Sequence, residues 1–172
     1  MKKITFRFAV AAAVFACMLL ADSRARAVRA RLSGFQEVAT VSTAANGSFQ
    51  GKINPEETQL TYEIEYSGLE GTVTQSHIHL GARATNGGIM IWLCGTSTNP
   101  GPAGTPVCPP EGRVSRTVTA ADVVGPAGQG IDPGQFAEVL RALRAGVAYA
   151  NVHSTKWPGG EIRGQIREED DN

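Results

Sequence analysis

The chain has 172 residues and equal numbers of basic and acidic side chains, 16 of each. That length allows one ordinary domain plus a targeting segment. The balanced charge gives no electrostatic reason to bind nucleic acid or anionic lipid.

The targeting segment comes first. Lys2, Lys3 and Arg7 form a basic start, and residues 8–21 form an apolar run shorter than the ~20 residues a membrane span needs. Ala25-Arg26-Ala27 presents small residues at both positions a signal peptidase reads, so residues 1–27 read as a signal peptide cut before Val28. Cys17 lies inside the apolar run behind bulky Phe15, which fits removal with the leader better than lipidation. Removing a leader with five basic residues and one acidic residue leaves a mature formal charge of −4. The mature domain, residues 28–167, is then secreted or periplasmic, with no membrane contact after the signal is removed.

In the mature chain, period-two alternation between turn signals dominates. Leu60, Tyr62, Ile64 and Tyr66 alternate with Thr61, Glu63 and Glu65, the pattern of a half-buried strand. Asn46-Gly47 and Asn54-Pro55-Glu56-Glu57 are turn signals on either side of a strand over residues 48–53, so three antiparallel strands are expected across residues 30–66. Further strands are expected over residues 72–80, 89–93 and 112–119, the first two joined by a turn at Asn86-Gly87-Gly88. One short amphipathic helix follows, with Asp132 as N-cap, Pro133 at its first position, a stripe of Phe136, Val139, Leu140 and Leu143, and Gly146 at its end. A hairpin of residues 147–154 and 160–166 completes the domain, and residues 168–172 read as an acidic, solvated tail. Seven or eight short strands predict a mainly β fold, an antiparallel Greek-key sandwich or barrel.

Cys94 and Cys108 enclose a Gly/Pro-rich segment that cannot form a regular element. In an oxidising compartment the pair favours a disulfide over free thiols or metal ligation, because the spacing matches no zinc signature.

Three strings carry a family resemblance: Leu32-Ser33-Gly34-Phe35-Gln36-Glu37-Val38, Ser76-His77-Ile78-His79-Leu80-Gly81 followed by Asn86-Gly87-Gly88, and Tyr149-Ala150-Asn151-Val152-His153-Ser154 followed by Pro158-Gly159-Gly160-Glu161-Ile162-Arg163-Gly164-Gln165-Ile166. Together they resemble the CHRD domain, the module named after chordin, over almost the whole mature chain. The segments around Cys94 and Cys108 resemble exported bacterial members. Chordin's growth-factor-binding repeats do not occur here, so the resemblance implies a fold and an exported setting rather than a reaction.

All three histidines fall in two of these strings. On a strand, His77 and His79 share one face and Ile78 and Leu80 the other. Tyr149, Asn151 and His153 likewise oppose Ala148, Ala150 and Val152. If the apolar faces line the core and the two strands are neighbours, the imidazoles lie outside the core under covering loops and converge. Three neutral imidazoles with an open position hold copper or zinc. The pattern is similar to copper/zinc superoxide dismutases, Greek-key barrels whose copper sits on an H-x-H strand and a later histidine, which would make His77, His79 and His153 copper ligands. Those enzymes need more histidines for zinc and this chain has none, which weighs against a dismutase. An immunoglobulin-like sandwich is the alternative architecture.

Two other readings of the histidines stay open: a hydrogen-bonded structural cluster with Asn151 or Glu161 as partners, and a patch that recognises an extracellular or periplasmic protein or small ligand. Glu161 can orient a ligand imidazole and Arg163 can guide an anion, or the two can form an ion-pair network that fixes strand register. Trp157 either covers the histidines or packs beside the turn. The chain has no nucleophile elbow and no phosphate-cradling loop, so a binding module is favoured over an enzyme, with a copper-dependent redox enzyme as the remaining catalytic alternative.

Overall fold

The computed structural model describes residues 25–169. Most of the expected leader and the last three residues of the chain lie outside them. Nine strands are described: β1 (Arg26–Ser33), β2 (Asn46–Ile53), β3 (Leu60–Ser67), β4 (Val73–Leu80), β5 (Ile89–Cys94), β6 (Gly112–Val118), β7 (Ala148–Ser154), β8 (Ile162–Gln165) and the two-residue β9 (Arg167–Glu168). One α-helix, α1 (Phe136–Arg144), stands between β6 and β7.

These strands form one antiparallel sheet in the order β5-β4-β7-β8-β1-β2-β3-β6, with β9 also paired to β1. The crossovers that set β4 beside β7 and β3 beside β6 make it a Greek key. The seam between β5 and β6 is nearly closed. After β6 the chain turns back so that Val123 bridges Ile91 and the Val124 N–H donates to the Met90 carbonyl at 3.0 Å. The Tyr62 hydroxyl reaches from β3 to the Leu93 carbonyl at 2.5 Å. A single sheet closing on itself in this way is a barrel rather than a sandwich of two stacked sheets.

The barrel interior is apolar. Leu60, Tyr62, Ile64 and Tyr66 all point into it, as their alternation requires, and meet Phe49, Ile53, Ile78, Met90 and Leu93. Closing the barrel also decides where α1 goes: Phe136, Val139, Leu140 and Leu143 are buried in the same core. Arg144 at its C-terminal end pairs with Glu57 of the β2–β3 turn.

Three expectations change in detail. Asp132 is not the N-cap, because Asp132-Pro133-Gly134-Gln135 form a turn closed by a 3.1 Å bond from the Gln135 N–H to the Asp132 carbonyl. Gly134, at φ +88°, holds the left-handed position that such a turn demands, so the helix starts only at Phe136. Its other end is as expected: Gly146 and Val147 donate back to Leu143 and Ala142 and satisfy the last carbonyls. Asn46-Gly47 is not a tight turn but the start of β2, paired with Ser33 and Leu32. The β1–β2 connection is instead residues 34–45, a long loop anchored by Thr43 to Glu161. Glu168 and Glu169, placed by sequence in a solvated tail, are tied to β1 through strand pairing, a Glu169 N–H bond to the Ala27 carbonyl and an ion pair with Arg29.

Cys94 and Cys108 form a disulfide with Cα atoms 5.0 Å apart. The Gly95 N–H and carbonyl pair with Pro106 and Cys108 beside it, so the intervening residues form a loop pinched at its base. Closing a loop of this size contributes ~3 kcal/mol in the chain-entropy model. Reduction, or a Cys94→Ser/Cys108→Ser variant, is therefore expected to lower the urea-unfolding free energy by about that amount. An unchanged denaturation midpoint would contradict it.

Candidate metal centre

β7 is buried along its whole length, on both faces. Its inner face carries Ala148, Ala150 and Val152 into the barrel core. Its outer face carries Tyr149, Asn151 and His153, and these are buried too. The protein therefore has a second, polar interior, between the outer wall of β4, β7 and β8 and the loops that cover it.

The register brings the histidines together. His77 lies opposite Asn151, His79 opposite Tyr149, and His153 opposite Gln75, one step along the same face from His77. Ring centroids are 5.1 Å apart for His77 and His153, 5.2 Å for His77 and His79, and 6.2 Å for His79 and His153. One ligand nitrogen from each ring lies within 4.8 Å of the others. A metal at ~2.0 to 2.1 Å from each nitrogen holds them within ~4 Å, so binding draws the rings inward by under ~1 Å.

Backbone carbonyls fix which nitrogen carries the proton. His79 Nδ1 lies 2.9 Å from the Gly87 carbonyl, and His153 Nδ1 lies 2.9 Å from the Pro158 carbonyl. A carbonyl can only accept, so both Nδ1 atoms are protonated and both Nε2 atoms keep lone pairs, the arrangement found at metal-bound imidazoles. Residue 87 must be glycine for this contact, since a Cβ there would sit 1.6 Å from the Leu80 oxygen. His77 Nδ1 faces His153 Nε2 at 3.3 Å. The Asn151 side-chain amide lies 3.1 Å from the same Nε2.

The site is buried and polar at once. Among the described residues, three buried side-chain atoms have no hydrogen-bond partner: His77 Nε2, His79 Nε2 and Glu37 Oε1. Burial, reinforced by the neighbouring imidazoles, drives the pKa of His77 down to about 2. Burial lowers His79 to about 4 against the opposing effect of its bond to Gly87, and lowers His153 as well. At neutral pH all three rings are uncharged, the state that donates to a metal.

Aromatic walls complete the enclosure. Trp92 of β5 meets His77 edge to face at 4.3 Å, and Tyr149 stacks on His79 at 4.8 Å with the planes 4° apart. The Arg163 guanidinium lies over the Tyr149 ring at 3.4 Å and donates to the Ala82 carbonyl at 3.1 Å. Arg163 is 1% exposed, so it braces the wall from inside instead of facing solvent as an anion guide. Its charge faces Glu37, whose pKa is raised by burial to about 7 with Arg163 opposing the shift.

Glu161 is spent elsewhere. Its carboxylate accepts from Thr43 Oγ1 at 2.9 Å, the Glu70 N–H at 2.7 Å and Ser154 Oγ at 2.5 Å, and from no imidazole. It ties two covering loops to the end of β7. Trp157 is bonded to Glu70 beside its own turn, and the indole over the histidines is that of Trp92. Glu37, Tyr149 and Trp92 join the site without any motif of their own that marks them for it. The one signal available was an acid set between apolar Phe35 and Val38; the Gly87 and Pro158 carbonyls, being backbone, leave none.

No helix among the described residues is long and apolar enough to cross a membrane. The disulfide is consistent with an extracellular location. No curated protein and no solved structure gives a significant match to this chain. The CHRD domain family model, however, matches residues 28–166, from within β1 to just past the end of β8, and the chain belongs to that family.

Proposed function

We propose that the protein is an exported binding module whose specific property is to hold one transition-metal ion, copper or zinc, through His77, His79 and His153. The observation that carries this reading is the meeting of three buried, uncharged imidazoles, two of them with Nδ1 fixed on a carbonyl so that Nε2 is turned to the cluster. Two buried ring nitrogens, His77 Nε2 and His79 Nε2, have no hydrogen-bond partner among the described residues, and a metal ion would supply one to both. Asn151 steadies His153, Tyr149 and Arg163 brace His79, and Glu161 holds the covering loops in place.

The test is stoichiometry. Protein recovered from an oxidising compartment and stripped with chelator is expected to bind one equivalent of copper or zinc, with the unfolding temperature rising as the site fills. His153→Ala is expected to weaken binding by at least ~100-fold while far-UV circular dichroism stays native. Failure of the wild-type protein to bind at micromolar metal would leave an extracellular interaction domain, a reading that draws on Phe35, 70% exposed, and Val107, 78% exposed.

A further inference from the structure

We infer that the site selects monovalent, cuprous copper over zinc and cupric ions. This rests on the three-histidine reading above and adds the charge and oxidation state of the ion.

The donor set is entirely neutral. Among the described His, Cys, Asp and Glu residues, three imidazoles converge and no carboxylate joins them. Cys94 and Cys108 are consumed by their bridge, and Glu161 by two hydroxyls and a backbone N–H. The nearby fixed charge is a cation: Arg163 lies against Tyr149, and Tyr149 against His79. Glu37 at best cancels Arg163, so the enclosure contributes no net negative charge to a metal ion.

Ion burial under these conditions depends steeply on charge. The cost of transfer from water grows as the square of the charge, so a divalent ion meets about four times the penalty of a monovalent one. Zinc and cupric copper offset that cost elsewhere with thiolate or carboxylate ligands, or with a fourth ligand completing a tetrahedral or tetragonal shell. The rings of His77, His79 and His153 are each no more than 7% exposed and walled by Trp92 and Tyr149. Cuprous copper has a filled d shell, accepts three nitrogen donors, and adds only one positive charge beside Arg163.

The experiment compares three ions on the full chain under anaerobic conditions at pH 7.5: cuprous copper against a colorimetric cuprous chelator, and cupric copper and zinc against chelators of known affinity. The expected result is one cuprous ion per chain, held at least ~100-fold more tightly than either divalent ion. Asn151→Asp places a carboxylate where the amide now sits 3.1 Å from His153 Nε2. That variant is expected to raise zinc and cupric affinity by ~10-fold or more with little gain for cuprous copper. A wild-type protein that prefers zinc or cupric copper overturns this inference and leaves the metal-binding reading standing. Binding of no ion overturns both. An Asn151→Asp protein with unchanged preference overturns the charge argument, and if that variant does not fold, the wild-type comparison decides alone.

Discussion

Between pH 6 and pH 4 the metal-free protein is expected to lose ~3 to 5 kcal/mol of stability, a large share of the margin that holds a domain of this size folded. The sign follows from the direction of each shift. His77 and His79 have folded pKa values of about 2 and about 4 against 6.5 for a free imidazole, and His153 is lowered in the same sense. Unfolded chains therefore bind protons that the folded protein refuses. The stability these rings contribute is complete above pH 6.5 and is lost as the pH falls towards their folded values, at ~1.4 kcal/mol per pH unit for each proton taken up. Glu37 acts oppositely. Its folded pKa of about 7, against 4.5, makes the folded state hold a proton more firmly, so its contribution grows as the pH falls from 7 to 4.5. Two or three histidines against one glutamate leave a net uptake of one or two protons on unfolding, which gives the range stated. Urea midpoints measured at pH 7, 6, 5 and 4 in the presence of a chelator check this directly. A midpoint that stays level or rises on acidification would show that the imidazoles are not buried as described.

The second large effect centres on Arg163. Arg163→Met is expected to destabilise the fold by ~3 kcal/mol, because a truncated partner leaves the other buried charge uncompensated. The substitution removes the cation over Tyr149 and the bond to the Ala82 carbonyl, and leaves the Glu37 carboxyl facing no counter-charge. Glu37 then keeps its proton to higher pH, which limits the damage. Glu37→Gln in the same chain removes the group that suffers, so the double variant is expected to recover ~1 to 2 kcal/mol relative to the sum of the singles. Additivity within ~0.5 kcal/mol would mean that the two groups are not coupled. Since Tyr149 stacks on His79, Arg163→Met is also expected to loosen the His79 ring. Its NMR signals should broaden while those of core methyl groups remain sharp.

The legible parts of the sequence were those in which one local period decides the outcome. The alternation over residues 60–66 announces a strand with one buried face, and the stripe at Phe136, Val139, Leu140 and Leu143 announces the face of α1 that is buried. Alternation likewise puts His77 and His79 on the face opposite Ile78, and His153 on the face opposite Val152, whatever those strands pair with. Boundaries were less legible. Pro133 fits a first helical position as well as the second position of a turn, and the backbone at Gly134 settles which. Asn46-Gly47 has the composition of a hairpin turn, but it lies within β2 because the chain before it is held over the polar wall by the Thr43–Glu161 bond.

Residue type and a period of two are enough for the antiparallel β class and for the side of each strand on which the imidazoles sit, and residue type alone supplies the cysteine pair available for bridging. The placement of β4 beside β7, the loops over their outer face, and the Gly87 and Pro158 carbonyls offered to the rings arise only when the whole chain folds. Pairing between strands so distant in the chain as β4 and β7, and the aim of a backbone carbonyl, are set by closure of the whole barrel. Neither is written in any local run of side chains.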